Sequence, residues 1–255
     1  MAATFTSACM VPIVRRYFSR PRRIAWLHLV QPSGFARTRI GMYLNRKSRS
    51  RSTVLAASSG VGIITKNHLV TRDLDHLTAL AKHGAAHVCI SLTTLDGALA
   101  KTLEPRASPP SRRLAAIEEL SAAGVPVIAL TAPIIPGLND HEIPALLDAA
   151  ARAGARTAGY TIVRLPWAVA PLFTAWLERH APGQKDKVLG RIASMRGGKL
   201  NDPRWGSRMK GAGVFAEQIK ALFAVAKRKA AFRGDLPELS TAAFRVPTDQ
   251  LSLFE

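Results

Sequence analysis

The chain has very little cysteine and carries no long apolar run. Only Cys9 and Cys89 occur among its 255 residues, which is too few for a disulfide framework and favours a reducing compartment. No apolar stretch reaches the length that a transmembrane helix needs, so no membrane span is expected. Because 47% of the residues are apolar, the chain can still bury a sizeable core. These features exclude a disulfide-stapled secreted domain and predict a cytoplasmic protein.

Several catalytic and nucleotide-binding motifs are also missing. There is no G-x-S-x-G motif, no phosphate-binding P-loop and no glycine pattern of the Rossmann type. The histidines show no metal-ligand spacing, since Gly84 stands at a predicted helix end between His83 and His87. Spacing alone therefore assigns neither a metal ligand nor a catalytic residue.

Acidic residues are absent from the first 60 positions. This segment holds eleven Lys or Arg and no Asp or Glu, whereas the remainder holds 25 basic and 17 acidic residues. Of the net charge of +19, +11 thus falls in the first 60 residues and +8 in the other 195. Such a charge suggests a polyanionic partner such as nucleic acid. Residues 1–60 are interpreted as a disordered basic arm, as a transit peptide or, the favoured interpretation, as translation in the wrong reading frame.

What the chain does have is a repeated pattern of buried strand and helix. Apolar runs such as V-C-I-S-L and V-P-V-I-A-L are typical of strands covered on both faces. Strands are predicted at 61–67, 87–92, 125–131 and 157–164, and helices at 72–84, 97–103, 110–123 and 141–153. This alternation predicts an α/β fold with a parallel sheet, and four strands are too few to close a barrel.

The predicted units divide the chain into four parts. The acid-free segment covers residues 1–60, and the parallel β/α core covers 61–166. A helical part follows at 167–232, with helices at about 168–180, 184–195 and 213–229. Residues 233–255 contain Pro237 and Pro247 and are expected to form an extended tail.

Polar residues follow the predicted strands, at the edge where parallel α/β proteins bind ligands. Lys66 needs water or an anion there, although a lysine can also extend its ammonium to the surface. Ser91 and Thr93 are either ligand contacts or hydrogen-bonded core hydroxyls. Glu104 and Arg106 could simply pair with each other. The residues alone thus predict a parallel α/β protein with a pocket suited to an anion.

A series of short segments carries a more specific signal. These are ITKN at 64–67, RDLD at 72–75, ISLTTLD at 90–96, LEPRA at 103–107, APIIPGLND at 132–140, AGY at 158–160, RLP at 164–166, RGGKLND at 196–202 and RWGSRMKGAG at 204–213. Over residues 61–255 they resemble the bacterial radical S-adenosylmethionine (SAM) proteins related to spore photoproduct lyase. The resemblance implies a partial parallel (β/α) barrel of the radical SAM type, here without its first strands and followed by C-terminal helices. It also implies a [4Fe–4S] cluster and SAM, which the family cleaves to a 5′-deoxyadenosyl radical.

The resemblance also implies cofactor contacts. Lys66 and Ser91, with Thr93 close by, are expected at the methionine or ribose part of SAM. Ile135 and Gly137, in the I-I-P-G turn at 134–137, are expected along the adenine.

One departure from the family puts its activity in doubt. The family holds its cluster with a Cys-x3-Cys-x2-Cys loop, because iron–sulfur clusters need thiolate ligands, and this chain has no such triplet. It is therefore interpreted as a truncated or degenerate member that is inactive as written, which leaves open whether it is an enzyme. The alternative is a non-enzymatic, basic nucleic-acid-binding protein on the same scaffold. Its phosphate contacts would be Arg196, Lys199, Arg204, Arg208 and Lys210.

Part of the acid-free segment offers a reason for the missing cysteines. The family carries an N-T-D-x-Y-x-P-x-E segment before its third strand, and residues 38–47 read TRIGMYLNRK. With permitted codons, a shift of one nucleotide converts that stretch to N-T-D-R-Y-V-P-Q-P-E. We hypothesise that residues 1–60 replace two βα units through a shifted frame. The nucleotide sequence tests this hypothesis. If no other reading frame upstream of residue 52 encodes this segment and a cysteine triplet, the hypothesis is wrong.

The last residues form a motif of their own. Gln250, Leu251, Leu253 and Phe254 belong to Q-L-S-L-F, which resembles the pentapeptide by which bacterial repair proteins dock on the DNA sliding clamp. The resemblance implies this clamp as a partner and a bacterial cytoplasm as the location. The alternative is that Leu253 and Phe254 fold back onto the domain.

Overall fold

The computed structural model describes residues 60–204, 207–236 and 238–242 of the chain. Its sheet contains β1 (Val61–Thr65), β2 (Ala86–Ser91), β3 (Val127–Ile134) and β4 (Thr157–Ile162). All neighbours in the order β1-β2-β3-β4 are parallel. The parallel α/β fold predicted from the sequence is confirmed, and so is the incomplete barrel.

Helices connect the strands and then continue alone. Between the strands lie α1 (Leu74–Ala81), α2 (Gly97–Leu103), α3 (Pro110–Ala122) and α4 (Ile143–Arg152). After β4 follow α5 (Val169–His180), α6 (Lys185–Ser194) and α7 (Val214–Lys229). Among the helices that the structure describes, none is both long and apolar enough to cross a bilayer.

The sequence predicts Thr71 as the N-cap of the first helix and Asp96 as the N-cap of the helix at 97–103, and one of these two predictions is wrong. Asp96 caps α2 as expected, because its carboxylate accepts hydrogen bonds from the backbone N–H of Ala98 and Leu99. Thr71, in contrast, is not the cap of the first helix. The Asn67 side chain accepts from the Leu69 N–H at 3.0 Å, so a 3-10 helix already starts at residue 68 and α1 follows at residue 74.

Two apolar clusters hold these elements together. The first lies between the helices and one face of the sheet, and α4 contributes Ile143, Leu147 and Ala150 to it at helical spacing. The second lies beyond the strand ends and joins the β3 turn to α5 and α6 through Ile135, Phe173, Leu177 and Val188. Each such large side chain contributes roughly 1.5–3 kcal/mol when it is buried. The second cluster therefore anchors the C-terminal helices over the edge where ligands are expected.

In the part of the chain that the structure describes, β1 forms an edge of the sheet. Within the described residues, β2 is the strand that pairs with β1, and no strand pairs with its other side. Unpaired strand edges invite pairing with other chains. We therefore predict that this chain is poorly stable alone.

Candidate functional site

Lys66 lies directly after β1 and connects the carboxyl ends of three strands. Its ammonium donates hydrogen bonds to the Thr93 hydroxyl at 3.0 Å, to the Glu104 carboxylate and to the Ala132 carbonyl at 2.9 Å. These acceptors come from the segment after β2, from the end of α2 and from β3. An ammonium has three N–H donors, and these three acceptors provide one protein partner for each donor of Lys66.

Glu104 is the buried centre of this network. Its side chain lies between Lys66 and Arg113, whose guanidinium donates to the carboxylate at 2.6 Å. Arg113 also donates to the carbonyls of Ser108 at 2.6 Å and Ser91 at 3.1 Å. Burial alone would raise the pKa of Glu104, but the two neighbouring cations outweigh it and hold this pKa below its ordinary value. The carboxylate is therefore charged and neutralised within the protein.

The sequence-based pairing of Glu104 with Arg106 is wrong. Arg106 is exposed, and the cations that contact Glu104 are Lys66 and Arg113. A signal for Arg113 was present in the sequence. It lies four residues before Ile117 and seven before Leu120, on the face of α3 that is buried, so it occupies a position of the apolar stripe.

The structure places both predicted hydroxyl residues inside the protein. Ser91 and Thr93 are buried, and Thr93 contacts Lys66 and Glu104 through its hydroxyl. Ser91 joins the network through its carbonyl, which accepts from Arg113. The structure thus brings Lys66, Ser91 and Thr93 together, and their contact with a cofactor stays a prediction.

Asn139 connects the turn after β3 to the same network. Its side-chain oxygen accepts from the Ile135 N–H at 2.6 Å, and its amide donates to the Thr93 carbonyl at 2.8 Å and the Pro133 carbonyl at 3.2 Å. In the sequence, Asn139 is one of the polar and turn residues that follow the apolar run at 125–131. The Ile135 side chain is buried in the second apolar cluster, so its backbone is what faces this network.

Gly137 lines a different concave surface. It has a φ of +88°, and a Cβ at this position would lie 3.4 Å from the side chains of Lys187 and Arg191. The cavity there has a volume of about 640 Å³, and Asp140 and Phe215 also line it. No residue of the Lys66 network lines this cavity. The two predicted adenine contacts therefore lie in different places, with the Ile135 backbone beside the Lys66 network and Gly137 at the cavity.

The described residues do not fit an iron–sulfur cluster. Cys89 lies within β2, and burial raises the pKa of its thiol to about 12, so it is protonated at neutral pH. In the described parts of the chain, no group of three His, Cys, Asp or Glu side chains could hold a metal ion. Elsewhere the sequence offers only Cys9, so a cysteine triplet cannot form.

Arg196 is a structural residue, and its assignment as a phosphate contact is wrong. It is buried, and its guanidinium donates to the carbonyls of Val163 at 2.5 Å and Arg208 at 2.9 Å. These bonds fasten the loop at 196–210 to the end of β4. A buried guanidinium that is used in this way is not available to a polyanion.

The other predicted phosphate contacts lie closer to the surface. Arg204 is exposed and forms a two-point ion pair with Asp202, with N–O distances of 3.0 and 3.2 Å. The Lys210 ammonium lies 3.2 Å from the centre of the Tyr160 ring, and burial lowers the pKa of Lys210 to about 8. Binding of nucleic acid by Arg204, Arg208 and Lys210 stays a prediction. The clamp-binding residues Gln250, Leu251, Leu253 and Phe254 lie outside the described residues.

Comparison with known proteins agrees with this architecture. Residues 27–150 match the model of the Radical SAM superfamily. The fold resembles that of a cysteine-to-serine mutant of spore photoproduct lyase, with a TM-score of 0.51 and 17% identity over 73% of this chain and 54% of that chain. The chain is therefore a relative of the radical SAM superfamily and has a partial barrel of that type.

Several proteins of similar sequence are uncharacterised. A protein of Mycobacterium tuberculosis and one of Mycobacterium bovis are each 31% identical over 129 residues, which are 50% of this chain and 38% of theirs. A protein of Methanocaldococcus jannaschii is 33% identical over 82 residues, which are 32% of this chain and 30% of its own length. The chain thus matches well under half of each relative.

The family match begins upstream of the first described strand. Its range starts at residue 27 and so includes part of the acid-free segment at 1–60, which is expected to lie outside the parallel β/α core. Residues 1–59 lie outside the described residues. The shifted-frame interpretation of residues 1–60 stays a prediction that the nucleotide sequence tests.

Proposed function

We propose that this chain is a partial radical SAM protein that keeps one edge of the cofactor site and does not cleave SAM by itself. The observation that carries the proposal is the cysteine content. The family's cluster needs three thiolates from one loop, and this chain offers Cys9 and Cys89, which are 80 residues apart. Cys89 is buried within β2 and stands alone, so it cannot complete such a loop.

Lys66 is the residue that would hold SAM. Its side chain is 29% exposed, and it lies at the carboxyl ends of the strands, where a cation can meet the carboxylate of the methionine part. Bound SAM is the family's source of the radical. Because the three N–H donors of Lys66 already have protein acceptors, SAM must displace at least one of them. We therefore propose that SAM binds weakly in the absence of a cluster.

Anaerobic reconstitution with iron and sulfide tests the proposal directly. We expect no protein-bound cluster absorbance and no 5′-deoxyadenosine from SAM in the presence of a strong reductant, because the thiolate ligands are missing. Spore photoproduct lyase treated in parallel is the positive control. A reconstituted chain that shows cluster absorbance and forms 5′-deoxyadenosine would overturn the proposal.

The same preparation tests the role of Lys66 through SAM affinity in a calorimetric titration. The test variant is Lys66→Met, which removes the ammonium and leaves the buried Glu104 carboxylate paired with the Arg113 guanidinium. We expect its SAM affinity to fall about tenfold, which corresponds to the loss of one charge-assisted hydrogen bond. Lys229→Met, on the exposed end of α7, is the matched control. Equal affinity in the test variant and the control would exclude Lys66 as a contact.

A second candidate function is the binding of nucleic acid. The loop at 196–210 contains five basic residues and one acidic residue, Asp202. Of these basic residues, Lys199, Arg204 and Lys210 are exposed. Neutralisation of phosphates by such residues produces binding that weakens as salt is added.

We also propose that residues 250–254 bind the bacterial DNA sliding clamp. Burial of Leu253 and Phe254 in a pocket would contribute roughly 1.5–3 kcal/mol each, and Gln250 can hydrogen-bond at the rim. Ordering of a short segment offsets part of this, so a dissociation constant on the order of micromolar is expected. In a surface-binding titration with purified clamp, Leu253→Ala with Phe254→Ala should abolish binding, whereas Ser252→Ala should not. Equal binding by both variants, or none by the intact chain, would refute the proposal.

A further inference from the structure

Trp167 is held in an exposed and strained position. It is 77% exposed, the largest exposed fraction among the large apolar side chains that the structure describes. Its φ of +41° lies in the left-handed region that L side chains rarely adopt. An exposed aromatic ring and a strained backbone both oppose stability, and proteins keep such features mainly at functional sites. The residue lies between the end of β4 and the start of α5, on the carboxyl side of the sheet.

The basic loop at 196–210 is fastened along the same edge. The Ile162 N–H donates to the Met209 carbonyl at 2.8 Å, and the Leu165 N–H donates to the Leu200 carbonyl at 3.3 Å. Leu165 lies two residues before Trp167, and Leu200 directly follows Lys199. These bonds bring the exposed cations of the loop to the segment that carries the exposed ring.

Charge and aromatic surface together indicate which ligand fits. Lys199 is exposed, and the Arg204 side chain is 75% exposed although it pairs with Asp202. A strand of nucleic acid offers phosphates to such cations and flat bases to a tryptophan ring. Proteins that bind single strands combine these two contacts, and the stacking contact tolerates any base. A duplex, in contrast, hides the faces of its bases within the stack.

We propose that Trp167, Lys199 and Arg204 form a binding surface for single-stranded nucleic acid. One base stacks on the Trp167 ring, and the neighbouring phosphates pair with Lys199 and Arg204. The inference rests on the second candidate function and is independent of cluster or SAM chemistry.

The test compares two fluorescent strands of equal length and charge, a mixed-sequence oligodeoxynucleotide and an abasic one, by anisotropy with the full chain. The abasic strand keeps every phosphate and lacks the bases, so it measures the electrostatic part alone. We expect the full chain to bind the base-containing strand about tenfold more tightly. Trp167→Ala should abolish this preference without changing the salt dependence, and Trp167→Phe should retain most of it.

The cations are tested through salt dependence. Changing Lys199 and Arg204 to alanine together should reduce the slope of log affinity against log salt by about two, roughly one per lost phosphate contact. Matched controls are Val225→Ala, whose side chain is 58% exposed on α7, and Lys229→Ala. Both controls should behave like the unchanged chain.

Each remaining outcome overturns the inference. If the full chain does not prefer the base-containing strand, or if Trp167→Ala keeps the preference, no base stacks on Trp167. Salt-dependent binding that persists in that case leaves the second candidate function standing, whereas loss of all binding removes both. Tighter binding to duplex DNA or to anionic lipid vesicles than to the single strand also refutes the proposed surface.

Discussion

Replacement of Glu104 by alanine is expected to lower the free energy of unfolding by about 3–5 kcal/mol, the usual cost of breaking a buried ion pair from one side. The substitution leaves Arg113 buried and Lys66 half-buried without the carboxylate that neutralises them. Equilibrium unfolding in urea, followed by circular dichroism, measures the change. Because domains have only about 5–15 kcal/mol of stability in total, loss of soluble protein is an equally informative result.

An exposed ion pair is the matched control for Glu104, because it carries the same charges without the burial. Glu178 pairs with Lys185 at 2.6 Å on the surface, so Glu178→Ala should cost no more than about 1 kcal/mol. Replacement of all three network residues by apolar ones, Lys66→Met, Glu104→Leu and Arg113→Met, should recover much of the stability that Glu104→Ala loses. Equal stability of Glu104→Ala and Glu178→Ala would contradict the central role of the network.

The Glu104 carboxylate also makes the free energy of unfolding depend on pH. In the folded protein the pKa of Glu104 lies below its ordinary value. Its contribution is therefore fully present above the pKa of an unfolded glutamate and is lost as the pH falls through the folded pKa. The unchanged chain should lose stability on acidification over this range, and Glu104→Gln should show a smaller loss.

Replacement of Asn139 by leucine is expected to cost on the order of 3 kcal/mol, since each buried polar group left unsatisfied costs roughly 1–3 kcal/mol. Leucine has a similar volume but leaves the Ile135 N–H and the carbonyls of Thr93 and Pro133 without the Asn139 side chain. Hydrogen exchange provides a local measurement. The Ile135 amide should exchange much faster in the variant, while amides in β1 and β2 should change only by the global loss of stability.

Thr102→Val is the control for Asn139→Leu. The Thr102 hydroxyl donates only to carbonyls of its own helix, at 3.1 and 3.3 Å, and it is exposed. This change should alter stability by less than about 0.5 kcal/mol. If Asn139→Leu unfolds at the same urea concentration as Thr102→Val, the turn after β3 is not held by Asn139.

The sequence by itself determined the elements and their order. A buried strand such as β2 is visible as an unbroken apolar run, and α4 as an apolar stripe with helical spacing, because both patterns are local. The Asp96 cap is local as well, since the carboxylate bonds backbone groups two and three residues away. The lack of a cysteine triplet is also decided by sequence alone, because no folding can supply thiols that Cys9 and Cys89 do not provide.

Only the tertiary structure decided which polar residues meet. Glu104 has two cationic partners, Lys66 and Arg113, which are 38 and nine residues away in the chain. The apolar stripe of α3 marks Arg113 as buried, but no local pattern pairs Glu104 with Lys66 and Arg113 in preference to the neighbouring Arg106. Parallel pairing in the order β1-β2-β3 places the carboxyl ends of all three strands at one edge, where the Lys66 side chain reaches past β2 to the Ala132 carbonyl.

The sequence did not reveal the roles of Arg113, Arg196 and Trp167, because these roles also depend on tertiary contacts. Arg113 and Arg196 are buried because carboxylate and carbonyl oxygens from distant segments surround their guanidinium groups, whereas composition predicts exposed arginines. Trp167 lies where the chain passes from β4 into α5, with a left-handed backbone and an exposed ring. Periodicity reports which side of an element is apolar, and the packing of elements against each other determines what each polar or exposed side chain contacts.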